Sequence, residues 1–327
     1  MSTLTEEILP NLYRVEVPLH GSPLKALNSY IIKAGERSLI IDTGWNREDC
    51  MRVLSSGLKE LGVNLREADF FITHMHADHS GLVSNLATDT STIYLGWADA
   101  VIVSSHKPGP WEKQTDFARM HGFPKDEIER AIKSHPGRRY SSTGHLDIHI
   151  LKEGDTISIG DYLFKCIETP GHTEGHMCLY EPSKKIFISG DHILVDITPN
   201  ISLWSDEKNP LKEYLTSLDK VYSLDVQLVL PGHRGIFKNY KERIRELQCH
   251  HQARLNEIML ILEKGEQSVF QVASQMTWDV TYKSWDLFPP SQKWFAFGEA
   301  MAHLKFLEER EEIRKETRGQ KMLFSLK

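Results

Sequence analysis

The 327-residue sequence is poor in cysteine, carries little net charge and contains no long apolar run. Its four cysteines, Cys50, Cys166, Cys178 and Cys249, are scattered without CxxC spacing. That pattern argues against a disulfide framework and a thiolate zinc knuckle, and it predicts free thiols in a reducing cytoplasm. The formal net charge of −6 offers no electrostatic drive toward nucleic acid or an anionic membrane, so neither is expected as a partner. No apolar stretch approaches membrane-spanning length. The start, Met1 to Pro10, carries Glu6 and Glu7 and no apolar core, so no signal peptide is expected. A hydrophobic content of 40% and a charged content of 26% are ordinary for a soluble globular protein. The length suits one large domain or two ordinary ones.

What the chain does have is histidine, 16 in all, and a dense cluster of it in Thr73-His74-Met75-His76-Ala77-Asp78-His79-Ser80. A lone histidine is usually a surface or satisfied core residue. Three with an aspartate in six positions, directly after the apolar run Phe70-Phe71-Ile72, read as a strand ending in a ligand-bearing loop. In extended chain, residues i and i+2 point to one side, so His74 and His76 can offer ring nitrogens to one cation. Asp78 and His79 lie where the chain turns toward the helical Gly81–Leu86 stretch and can face a second cation. Zn²⁺ takes imidazole and carboxylate readily, and paired metals in hydrolytic sites lie about 3.5–4 Å apart.

Around this loop the pattern is α/β. Asn11–Val17 alternates as a half-buried strand, and Asn28–Ile32 and Ser38–Ile41 read as a hairpin across Ala34-Gly35-Glu36. The second arm ends in Asp42-Thr43-Gly44. Asp42 reads equally as a turn residue or as a carboxylate orienting a metal loop. A helix is predicted around Glu48–Leu61 and a strand at Thr92–Leu95. From about 97 to 145 the strand rhythm stops, with helices predicted near Trp111–Met120 and Lys125–Ser134 and the turn Pro108-Gly109-Pro110 before them. This insertion reads as a lid over substrate access, the alternative being a cover for one sheet edge. Its histidines, His106, His121, His135 and His145, lack ligand spacing and are expected mostly at the surface. Strands resume at Thr156–Ile159, Tyr162–Ile167, Met177–Tyr180, Lys185–Ile188 and Val226–Leu230. Three times a strand stops at a small or turn-forming residue before His or Asp, giving His172, Asp191 and His233.

These residues carry a resemblance. His74-x-His76-x-Asp78-His79 with His172, Asp191 and His233 on successive strand-end loops, and Asp42-Thr43-Gly44 before them, closely resembles the metallo-β-lactamase superfamily of hydrolases, its glyoxalase II-like and lactonase-like branch above all. The resemblance covers about residues 10–240. It implies a four-layer αββα sandwich of two mixed sheets between outer helices. It also implies two divalent cations, Zn²⁺ first and Fe or Mn next. His74, His76 and His172 would hold one, Asp78, His79 and His233 the other, with Asp191 bridging. Many true β-lactamases of the family carry Cys where Asp191 stands, so antibiotic hydrolysis is not expected. His76 stands where flavodiiron oxygen reductases use an acid, which argues against a redox di-iron site. No match to the glutathione-binding residues of glyoxalase II is present. His176 and His192, beyond what two cations need, read chiefly as packing or hydrogen-bonding residues, with supporting or substrate-lining roles as the alternative. His20 reads as a loop residue.

Residues 1–240 are thus expected as the catalytic domain and 241–327 as a small, mainly helical, winged-helix-like domain. That tail is predicted as helices at Tyr240–Glu263, Val269–Met276 (capped by Ser268) and Ser291–Arg310, then a strand–turn–strand from Ile313. Its 14 Lys and Arg against 13 Asp and Glu leave no basic footprint, so it reads as a packing or homo-oligomerisation appendage that also walls the active site. The function expected is metal-assisted hydrolysis of a small-molecule ester, thioester or lactone. A hydroxide bridging the two metals would attack, with Asp78 as the proton relay. A phosphodiesterase or nuclease using the same metal pair is the alternative.

Overall fold

The computed structural model describes residues 3–35, 37–104, 111–144 and 146–327. Glu36, His106, His145 and Pro108-Gly109-Pro110 lie outside these residues.

The first sheet runs in chain order through β1 (Thr5–Leu9), β2 (Leu12–Pro18), β3 (Ala26–Ala34), β4 (Arg37–Ile41), β5 (Ala68–Phe71), β6 (Ile93–Gly96) and β7 (Ile148–Leu151). Pairing is antiparallel from β1 to β4 and parallel from β4 to β7. The second sheet comprises β8 (Thr156–Ile159), β9 (Tyr162–Glu168), β10 (Met177–Glu181), β11 (Ile186–Gly190) and β12 (Leu228–Pro231), in the order β12-β11-β10-β9-β8. All its pairs are antiparallel except β11 with β12.

Both sheets are built by period-2 alternation. Tyr30 and Ile32 on β3, Leu39 and Ile41 on β4 and Phe71 on β5 join Phe164, Cys166, Met177, Leu179 and Ile188 in one buried cluster between the sheets. Their chain neighbours Ile31, Ile40 and Phe70 turn to the other face and pack with Cys50, Leu54 and Leu58. Those three recur every four residues along the helix Glu48–Glu60, which is how a helix presents one apolar stripe to a sheet. On the far side of the second sheet, the Phe187 ring meets Tyr240 at 5.6 Å, and the Tyr240 hydroxyl donates to Val221 O. The layers are therefore helix, sheet, sheet, helix.

The chain divides into two compact units. The first contains Met1–His106, Tyr140–Pro199 and Lys220–Arg243; the second contains Lys107–Arg139, Asn200–Asp219 and Ile244–Lys327. This cuts the chain differently from a division at 240, because most of the 97–145 insertion belongs to the second unit. Aromatic packing explains it: within that unit Trp204 stacks on Trp294 at 4.1 Å, and Phe123 packs against Trp294 and Phe297, so one core draws on all three segments. His121, expected at the surface, is buried there, its Nδ1 donating to Phe117 O. The tail forms helices Tyr240–Leu262, Val269–Gln275 and Pro290–Glu309, then β13 (Ile313–Arg318) paired with β14 (Lys321–Leu326). Ser268 and Gln271 close a reciprocal capping box on the middle helix. Helix Pro210–Tyr222 was not anticipated, although Leu211, Tyr214, Leu218 and Val221 are buried at helical spacing. β1, β7 and the helix Trp97–Ser104 were not anticipated either.

Candidate metal centre

The site lies within the first unit, at the edge where β4, β5, β9, β11 and β12 end. Beyond β5 the chain bends through Thr73, His74 and Met75, is extended at His76 and then turns into the short helix Ala77–Ser80, which carries Asp78 and His79. The loop after β9 brings His172, the end of β11 brings Asp191, and the turn after β12 brings His233. Three groups result, each with ligand atoms within 4.8 Å of one another: His74, His76 and His172; His74, His79 and Asp191; and Asp78, His79 and His233. Asp191 lies between the first and the last. Its Oδ2 is 3.6 Å from His172 Nε2, and its Oδ1 is 3.5 Å from both His79 Nε2 and His233 Nε2. Asp78 Oδ2 stands 3.4 Å from His233 Nε2. His74, His79 and His233 are fully buried, whereas His76, Asp78 and His172 are half-buried and form the open side.

Hydrogen bonds fix which ring nitrogens carry protons. Asp42, at φ 58°, accepts from Thr73 N and Thr73 Oγ1, both at 2.8 Å, and from His79 Nδ1 at 2.7 Å. Aspartate tolerates this left-handed backbone better than most residues. Asp42 is therefore both the turn residue at the end of β4 and the carboxylate that orients His79. His233 Nδ1 donates to Ala26 O at 2.7 Å. With both Nδ1 atoms donating, the Nε2 atoms of His79 and His233 present lone pairs to each other at 3.3 Å. Thr73 Oγ1, committed as donor to Asp42, receives His74 Nδ1 at 3.1 Å, so His74 Nε2 likewise points a lone pair at His76 Nδ1, 3.0 Å away. Among the described residues no hydrogen-bond donor reaches Asp191 Oδ1, which is buried. Lone pairs and carboxylate oxygens converging among largely buried side chains favour positive charge there. These His and Asp clusters fit a divalent metal site.

The electrostatics agree. Burial and the neighbouring His79, His76 and His172 charges hold His74 well below the usual histidine range, and burial with His172 brings His76 down to about 3. Burial works against the charged form of His233, but Asp191 and Asp78 outweigh it and lift the ring to about 9. His79 is likewise raised against burial by Asp42 and Asp191. Asp191 lies well below the carboxylate range because the His233 and His79 charges overcome its burial. Asp78 is held at about 2 for the same reason, with the His233 hydrogen bond leading. Two anions that resist protonation beside two rings that would take protons is the balance a bound cation replaces.

His176 falls into a supporting position. Its Nδ1 shares a hydrogen bond with Thr169 Oγ1 at 2.8 Å, and its Nε2 accepts from Asp191 N at 3.1 Å, so it holds the backbone that carries Asp191. His192 is buried near His176, ring centres 6.2 Å apart, and belongs to none of the three groups. His20 is exposed in its loop. Reading the sequence missed Thr73, Thr169 and Asp99, all buried beside the site.

An αββα sandwich with His and Asp ligands gathered at one sheet edge defines a class of metal-dependent hydrolases. Residues 25–233 match the metallo-beta-lactamase superfamily, and the chain belongs to it. It is 26% identical over 306 residues to the probable metallo-hydrolase YqjP of Bacillus subtilis (strain 168), covering 90% of this chain and 92% of that one. It is 24% identical over 260 residues to the acyl-coenzyme A thioesterase MBLAC2 of Gallus gallus, covering 76% of this chain and 87% of that one. A crystal structure of a metallo-beta-lactamase family protein from Thermus thermophilus superposes with a TM-score of 0.82 at 26% identity, covering 98% of this chain and 100% of that one. The protein is a metal-dependent hydrolase. No helix of the described residues is long and apolar enough to cross a membrane.

Proposed function

We propose that this hydrolase holds two divalent cations, Zn²⁺ by preference, and cleaves a small-molecule thioester, lactone or related carboxylic ester. The observation that carries the reading is Asp191, whose two oxygens face the His172 side and the His79–His233 side separately. His74, His76 and His172 hold one cation, and Asp78, His79 and His233 hold the other. Bound there, a cation pair supplies an acidified water and an electrophile for the ester carbonyl oxygen.

The chain's own residues do the rest. Asp42, Thr73 and Ala26 O lock the ring tautomers, so the ligand nitrogens need not reorganise during turnover. Asp78, ionised and on the open side, takes the proton lost by the attacking water at its carboxylate and returns it to the leaving sulfur or oxygen. No serine or cysteine nucleophile is required, so water enters the acyl product directly. The thioesterase relative and the ligand chemistry support this substrate class. The unpaired cysteines, three of them buried, support a reducing, cytoplasmic setting.

Elemental analysis of the purified chain, followed by hydrolysis assays on acyl thioesters, lactones, sulfate esters and phosphodiesters, tests the proposal. Two equivalents of metal with turnover of a thioester or lactone are expected. Cleavage of a phosphodiester with no activity on carboxylic esters would replace the reading by phosphoryl transfer.

A further inference from the structure

Asp99 belongs to no motif, yet its carboxylate is fully buried and spends both oxygens on the two loops of the first nitrogen group. Oδ2 accepts from Met75 N at 2.8 Å and from Thr173 Oγ1 at 2.7 Å, and Oδ1 accepts from Gly175 N at 2.8 Å. Met75 sits between His74 and His76, and Thr173 directly follows His172. One side chain on the helix Trp97–Ser104 therefore joins the two segments that supply His74, His76 and His172, far apart along the chain.

The approach is close enough to dictate glycine on both sides. A Cβ on Gly175 would fall 2.4 Å from Asp99 N, and a Cβ on Gly96 would fall 2.2 Å from Gly175 O. The second group is braced by other means: Asp42 holds His79, and Ala26 O holds His233. None of Asp99's hydrogen-bond partners named above lies on the segments that carry Asp191 or His233, and where the Met75 loop runs on into Asp78 and His79 it is tied separately by Asp42 at His79.

We propose that Asp99 is the positioning residue of the His74–His76–His172 group alone, setting the spacing of its two loops and so the affinity of that site for a divalent cation. The inference rests on the two-cation reading above. A carboxylate is needed because all three neighbours donate. An asparagine keeps one acceptor but turns an NH₂ toward a backbone N–H, so at least one loop loses its tie. Partners of this kind behind metal ligands are worth about 10–100-fold in metal affinity.

The test is calorimetric titration of the metal-free full chain with Zn²⁺, with Co²⁺ absorption spectra to identify each site. The wild type is expected to bind two cations. Asp99→Asn should weaken one class of site by about 10–100-fold and leave the other unchanged, and the weakened class should be the one His76→Ala removes. Thr173→Val, which deletes one of the three ties, should weaken the same class by less. Combined with Asp99→Asn it should add little, because both act through one clip. Should Asp99→Asn fail to fold, Thr173→Val carries the test alone. Unchanged binding, or equal weakening of both classes, overturns the assignment of Asp99. A wild type that binds fewer than two cations instead overturns the two-cation reading, and the clip with it.

Discussion

Gly232 stands where a side chain would enter the metal centre. A Cβ there would lie 2.7 Å from His79 Cε1 and 2.8 Å from Asp191 Oδ1. Neither atom can retreat easily, since Asp42 holds the His79 ring and His176 holds the Asp191 backbone. Gly232→Ala should therefore fold while losing metal and activity, with circular dichroism and elemental analysis as the readouts; native metal content would mean that these ligands are free to move. His76→Ala and Asp191→Ala remove proposed ligands outright and are expected to lower kcat/KM by roughly 10²–10³-fold or more. His76→Ala should keep close to one equivalent of metal, whereas Asp191→Ala should weaken both sites. Retained turnover in either would remove the proposed site. At this scale the residues of the three His and Asp groups were legible in the sequence because metal chemistry accepts few residue types and the fold places them beside turn-forming residues at strand ends. Thr73, Thr169 and Asp99 were not, because they act on backbone N–H groups and ring edges that leave no pattern of residue types. Asp42 was legible as a candidate, but only its hydrogen bonds to Thr73 and His79 show that one residue fills both of the roles it could have played.

Between the helices Tyr240–Leu262 and Pro290–Glu309 lies a buried histidine pair unrelated to the metal centre. His303 Nδ1 donates to Glu299 O at 2.8 Å, so its Nε2 accepts from His251 Nδ1 at 3.0 Å. Both rings are neutral in this arrangement. Burial with the His250 and Arg254 charges pulls His303 down to about 3, the Glu299 carbonyl opposing, and burial with His303, His250 and Arg254 holds His251 well below the usual range. In the unfolded chain each titrates near 6.5. Below about pH 6.5, and for His303 down to about pH 3, the unfolded state binds more protons, so the pair makes stability fall as pH falls, by up to about 1.4 kcal/mol per pH unit for each ring. Urea unfolding of the full chain between pH 7.5 and 5 should show a shallower acid dependence for His303→Gln than for wild type, by about one proton. Equal slopes would mean that the pair is already protonated or open to water. The elements themselves were legible to different degrees. The helices at Glu48–Glu60 and Lys125–Ser134 were anticipated, and each buries apolar residues at helical spacing. The helix Trp97–Ser104 did not, because its composition is apolar almost all round and offers no polar face to define a period. β7 has only four residues and owes its place to parallel pairing with β6, a long-range contact that no local signal encodes.

Across the whole molecule, the two compact units carry separate sensitivities: the proposed cation ligands all belong to the first, the histidine pair to the second. The division was hidden in the sequence because it follows aromatic packing among three separated segments, not a linker or a change of composition. It makes a spatial prediction. Stripping metal with a chelator removes a ligand of the native state only, and the loss is felt first where that ligand was held. Hydrogen exchange should rise at Thr73, Met75, Gly175, Asp191 and Gly232, whose backbone N–H groups bond within the ligand-bearing loops or to the residues that brace them. The helix Pro290–Glu309 should keep its protection under the same treatment. Acidification of the metal-loaded protein to pH 5 should act on that helix and on Tyr240–Leu262, where unfolding gains protons at His303 and His251. Uniform loss of protection on chelation would show that the cations stabilise the chain as one cooperative body. Loss confined to the five loop positions would place their contribution in the loops that the proposed chemistry needs rigid.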